Sequence, residues 1–144
     1  MFSEVVMAFV IVSLCVVIHT TGVLVFAEWM LNRRFIRAQP RMTHSGFILI
    51  IVFAVLIFLH LLEAGLWAAF YYAWGLFEHF EAALYFSLTS YTTIGYGDVL
   101  LPQKWRLLGA VEGITGVLLC GISAAFVFSV VNALFQRRIA SVKG

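Results

Sequence analysis

Three uninterrupted apolar stretches, residues 5–27, 46–73 and 107–135, constrain this chain more than any other feature. A helix crosses the hydrocarbon core of a bilayer with about 20 mostly apolar residues, and each stretch is long enough. The apolar runs are continuous and do not alternate, so they predict helices and not the strands of a membrane barrel. Of the 144 residues, 63% are hydrophobic and 11% charged, where a soluble domain carries about 25% charge. Too few polar side chains remain to cover a water-facing surface. A soluble enzyme, a disordered tail and a nucleic-acid binder are excluded on that ground. The net charge of +2 comes without the basic cluster that a phosphate backbone requires.

The first stretch has no basic segment before it, only Glu4, and its cations follow it. That order reads as a retained helix and not as a signal peptide. Residues 32–41 form a polar, basic linker containing Pro40. The second stretch ends in Trp67, Tyr71, Tyr72 and Trp74, aromatic residues that favour the membrane interface. The expected division is therefore 1–45 for an extra helix and linker, 46–136 for a hairpin of two spans with its connection, and 137–144 for a short tail. Arg33, Arg34, Arg37, Arg41, Arg137, Arg138 and Lys143 fall on one side of the membrane, Lys104 and Arg106 on the other. The excess of cations marks the cytoplasmic side, which predicts an outside N-terminus and an inside C-terminus in a cell (plasma or inner) membrane. Cys15 and Cys120 lie inside apolar runs and are expected to be buried as small hydrophobes.

Residues 77–105 differ from the rest. They are amphipathic, with Glu78, Glu81 and Asp98 around an aromatic core. Residues 82–90 read as a helix too short to span. Irregular backbone at membrane depth is tolerated only when buried in protein or lining water, so a re-entrant helix and loop is expected. The loop reads Thr92-Thr93-Ile94-Gly95-Tyr96-Gly97-Asp98. Gly95 and Gly97, at alternate positions, permit positive φ. A strand of alternating hand turns successive carbonyls to one side, and a ring of such strands forms cages of oxygen for a dehydrated cation. The Thr93 hydroxyl adds an oxygen at the inner end. Ile94 and Tyr96 are expected to point away from the axis and pack the strand from behind.

Thr93-Ile94-Gly95-Tyr96-Gly97-Asp98 resembles the potassium-channel signature, in the variant with isoleucine second. Residues 46–135 are similar to the pore module of small prokaryotic potassium channels: outer helix, pore helix, filter and inner helix. The resemblance implies that the carbonyls of Thr93, Ile94, Gly95 and Tyr96, with the Thr93 hydroxyl, coordinate K⁺. Thr92, Gly97, Asp98, Tyr85 and Thr89 would support that filter. Many relatives carry tryptophans where this chain has Tyr85 and Phe86, and some a glutamate where it has Thr89; Tyr85 can still donate to Asp98. One filter strand per chain calls for a homotetramer, with the third span around the axis, the second outside it and the first at the periphery.

Ionisable residues inside spans are functional candidates. His60 and Glu63 are three apart and can pair on one helix face. Glu63 and Glu112 are placed to brace the pore helix at Thr89, Ser90 or Tyr91, and His60, Glu63 and Glu112 are candidate proton sensors for gating. Packing alone is the competing reading for each. His19 lies among Thr20, Thr21 and Gly22, where small residues let helices approach closely. Gly109, Gly113 and Gly116 share one face of the third span. Close approach accounts for them, and so does an inner-helix hinge at Gly113 or Gly116. No span carries an arginine ladder, so no voltage sensor is encoded.

The expected molecule is an all-α integral membrane protein with three spans, a re-entrant pore helix and a filter loop. It forms a homotetrameric, potassium-selective channel and is not an enzyme. K⁺ is its permeant ion and it needs no organic cofactor. Its partners are its own copies, membrane lipid and a regulatory protein if gating is not intrinsic; nucleic acid is not among them. A non-selective cation channel of the same fold and a non-conducting regulatory or structural subunit are the alternatives.

Overall fold

The computed structural model describes residues 2–32 and 42–143, and is helical throughout its regular elements. Helix α1 spans Phe2–Asn32, α2 Met42–Ala73, α3 Phe80–Tyr91 and α4 Arg106–Lys143, with a single 3₁₀ turn at Gln103–Trp105 before α4. No strand occurs among the described residues. The basic linker cations Arg33, Arg34, Arg37 and Arg41, with Pro40, lie outside the described residues, as does the Lys143 side chain. Three helices are long and apolar enough to cross a membrane: Val6–Asn32, Thr43–Ala73 and Gln103–Ala140. The chain is a membrane protein with the three helices expected. The third runs further than its apolar stretch suggests, because nothing after Phe135 breaks it; Arg137 and Arg138 continue the same helix.

A glycine ends α2. Gly75 has φ +68°, and its N–H bonds the Tyr72 carbonyl while Leu76 N–H bonds that of Tyr71, each at 3.0 Å. This pairing caps the last carbonyls of the helix and reverses the chain. The reversal returns α3 alongside α2. Helix α3 packs against α2 and α4, while α1 packs along both α2 and α4. Ala64, Trp67, Ala68 and Tyr71 of α2, Ala83 and Phe86 of α3 and Leu108 and Leu119 of α4 share one core with Ala8, Ile11 and Cys15 of α1. A second core at the other end joins Val23 and Met30 to Ile48, Val52, Leu56, Leu59 and Val130. Gly22 admits the Leu59 side chain, which lies 2.7 Å from where a β-carbon would stand. Close helix approach at Gly22 is therefore real. Cys15 is buried as expected, but Cys120 is exposed on the chain, because the third stretch is apolar on every face and periodicity could not say which face turns inward.

Candidate functional site

The segment that follows α3 has alternating backbone hand. Thr93 has φ +61°, Gly95 +54° and Gly97 +79°, and among the described residues Thr93 is the one non-glycine with positive φ. Ile94 and Tyr96 between them therefore have negative φ. The two glycines sit where the spacing places them. The sequence reading of Thr93 rests on its carbonyl and hydroxyl oxygens, and nothing in the sequence marks its backbone for positive φ. A β-branched residue at positive φ is unusual, and strain of this kind gathers at functional sites.

Both ends of the segment are tied to α3. At the base, Thr93 N–H donates to Ser90 O at 2.9 Å and Gly95 N–H to Thr89 O at 3.0 Å. At the far end, the Tyr85 hydroxyl donates to Asp98 Oδ2 at 2.8 Å, and Asp98 Oδ1 accepts the Val99 N–H at 3.1 Å. The bond to Asp98 raises the Tyr85 phenol above its ordinary range. The hydroxyls of Thr89 and Thr92 bond back to Phe86 O and Leu88 O, at 2.9 and 2.6 Å. Thr89 thus serves the segment through its carbonyl. Phe86 packs edge-on to Tyr71 and tilted against Phe77, a purely apolar support.

Residues 92–98 are all exposed on the chain. Ile94 is 56% exposed and Tyr96 69%. Within a single chain neither is covered, and their packing from behind the strand in a ring of strands stays an expectation. Residues of α3 and α4 lie beside the segment: Thr89 and Ser90 through their carbonyls, and Gly113, where an added β-carbon would lie 3.6 Å from Thr93.

The glycines of α4 seat the end of α3. A β-carbon at Gly109 would lie 3.0 Å from the Phe86 ring, at Gly113 3.1 Å from Ser90 O, and at Gly116 2.0 Å from Tyr91 O. Close approach of helices is thus the role these contacts give them.

Buried polar side chains stand behind α3. Glu112 is fully buried; its Oε2 accepts the Tyr71 hydroxyl at 2.8 Å, and Oε1 meets the Ser87 hydroxyl. Ser87 Oγ also lies 2.6 Å from Ala64 O. Ser87 is a hydroxyl of α3, as the bracing reading expects, though one turn or so earlier than Thr89, Ser90 or Tyr91. Glu63, also fully buried, reaches Tyr91 Oη. His60 Nδ1 stands 3.4 Å from Glu63, so the pairing across three residues exists. The shorter contact is to His19 Nδ1 of α1, at 2.8 Å, which the sequence did not suggest across 44 residues. His19, His60 and Glu63 bring possible metal-ligand atoms within 4.8 Å of one another, but each already engages a hydrogen-bonding neighbour. Glu78, Glu81 and Asp98 are exposed.

Two apolar helices, a short helix held between them and a tethered loop of alternating hand form a hairpin across residues 42–143, with the apolar helix α1 packed along it. A family model described as ion channel matches residues 45–133 of the chain. No curated protein and no solved structure matches it. With well over half of its length matched, this chain belongs to the ion-channel family.

Proposed function

We propose that four copies of this chain surround a potassium-selective pore. The alternation of positive φ at Thr93, Gly95 and Gly97 is the observation that carries the reading. Such a backbone turns the carbonyls of Thr93, Ile94, Gly95 and Tyr96 to one side, and four strands around an axis replace the water shell of K⁺ with oxygens. Thr93 contributes its hydroxyl at the inner end. The protein makes and breaks no covalent bond; it lowers the cost of dehydrating an ion that then runs down its gradient.

Several features support this arrangement. Helix α3 is re-entrant in it, and its C-terminal carbonyl end faces the base of the filter, where the negative end of a helix dipole stabilises a cation. Tyr85, Asp98, Thr92, Gly97 and the Thr89 carbonyl hold the strand. Ile94 and Tyr96, uncovered within the chain, pack against the neighbouring copy. Helix α4 lines the axis, α2 lies outside it and α1 outside both. Gly113 and Gly116 seat the end of α3, and with it the start of the strand, against α4. The excess of cations in the linker and tail supports a cytoplasmic position for both, with Glu78, Glu81 and Asp98 at the outer mouth, where negative charge concentrates cations.

The test is flux into liposomes by purified protein whose mass in detergent is measured in parallel. The expected result is a tetramer passing K⁺ and excluding Na⁺. Equal flux of both ions would make it a non-selective cation channel. A stable dimer with full K⁺ flux would contradict the four-strand geometry, and no flux from intact tetramers would make it a regulatory or structural subunit.

A further inference from the structure

A closed circuit of hydrogen bonds links all four helices at the base of α3. Glu63 Oε1 and His19 Nδ1 are 2.8 Å apart, His19 Nε2 and Ser123 Oγ 3.2 Å, Ser123 Oγ and His60 Nε2 3.0 Å, and His60 Nδ1 and Tyr91 Oη 2.9 Å; Tyr91 Oη bonds Glu63 Oε2 to close it. His19 comes from α1, His60 and Glu63 from α2, Tyr91 from α3 and Ser123 from α4. His19 and Glu63 are fully buried, and Tyr91 and Ser123 nearly so.

The circuit can be counted in protons. Each of its five bonds needs one hydrogen. A carboxylic acid with two neutral imidazoles, or a carboxylate with one imidazolium and one neutral imidazole, supplies them together with the serine and tyrosine hydroxyls. A missing proton sets two lone pairs face to face; an added one sets two hydrogens face to face. The circuit therefore closes only when it carries no net charge. That is also the state a membrane interior tolerates, since an isolated charge there is costly. Cys120 Sγ, 3.9 Å from His60 Nε2, adds no bond the circuit needs.

The position of Tyr91 gives the circuit a task. Tyr91 is the last residue of α3, its carbonyl sits where Gly116 leaves room, and Thr93 begins the proposed filter two residues later. Helix α1 lies outside residues 45–133, the part matched as an ion channel. We propose that His19 is a positioning residue for the filter: through Glu63, Ser123 and the Tyr91 hydroxyl, α1 holds the register of the α3 end and so of the strand that follows. This inference rests on the reading of residues 93–96 as a selective filter.

The test uses the full-length tetramer in liposomes and in detergent. His19→Leu fills the same space without polar atoms, and Ser123→Ala opens the circuit on its opposite side with little change of volume. Both are expected to lower the K⁺ over Na⁺ permeability ratio by roughly tenfold, what one lost hydrogen bond is worth. Both should also speed amide hydrogen exchange at residues 92–95. His19→Gln offers one donor and one acceptor and Glu63→Gln keeps both positions uncharged, so both should retain the parent ratio and exchange. A lower yield of tetramer with the ratio and exchange unchanged in His19→Leu and Ser123→Ala would overturn the proposal. So would loss of selectivity in Glu63→Gln, which would show that a charge and not a closed circuit is needed. Should the parent protein itself fail to prefer K⁺, the filter reading falls, and the exchange rates alone decide whether α1 holds the end of α3.

Discussion

Replacing Gly116 with alanine is expected to abolish selective flux and to lower the thermal stability of the assembled protein. The added β-carbon would meet Tyr91 O at 2.0 Å, the Tyr91 carbonyl carbon at 2.9 Å and its ring at 3.1 Å. Two of those atoms are backbone and cannot rotate away. Either α4 moves off α3 or the end of α3 shifts, and Tyr91 leaves the position in which it bonds Glu63 and His60. Overpacking of this kind costs about 1–3 kcal/mol per site where side chains can adjust, and a backbone clash lies at or beyond the upper end. Gly65→Ala is the control, because a β-carbon there meets nothing within 4 Å and removes only the conformational freedom of the unfolded chain. It should leave flux and stability near the parent values. If Gly116→Ala matches that control in both, the seating of α3 on α4 is wrong.

Gly95→Ala should act differently: selectivity is lost while assembly survives. The position has φ +54° and open space around it, so alanine meets no clash. Its cost is conformational, about 1–2 kcal/mol for a left-handed L-residue, and it is incurred once per chain around a shared axis. A strand that relaxes to negative φ at this position turns a carbonyl out of the row formed with Thr93 and Tyr96. The expected outcome is a tetramer of parent mass whose cation flux no longer distinguishes K⁺ from Na⁺. Normal K⁺ preference in Gly95→Ala would remove residues 93–96 from the role of filter.

Much of this was legible because it is local. Long apolar runs name spans whatever the neighbours are. Alternating glycines announce alternating hand, and Tyr85 and Asp98 meet because one short helix and one tight loop separate them. What escaped depends on how separate helices rotate against each other. His19 bonds Glu63 because α1 turns that face toward α2, and an apolar helix with no polar stripe does not say which face that is. The same ambiguity left Cys120 exposed against expectation. It also hid Ser123, which bridges two histidines and read as an ordinary small residue. The glycines of α4 admitted two readings until Phe86, Ser90 and Tyr91 were found against them. The positive φ of Thr93 had no signature at all, because threonine ordinarily argues for extended backbone.

The most direct measurement is the reversal potential of the purified protein in a bilayer with K⁺ on one side and Na⁺ on the other. An oxygen-lined file at Thr93 to Tyr96 that fits a dehydrated K⁺ predicts a reversal potential far from zero, of the sign set by K⁺ leaving its own side. A reversal potential at zero, with current flowing in both directions, would contradict it.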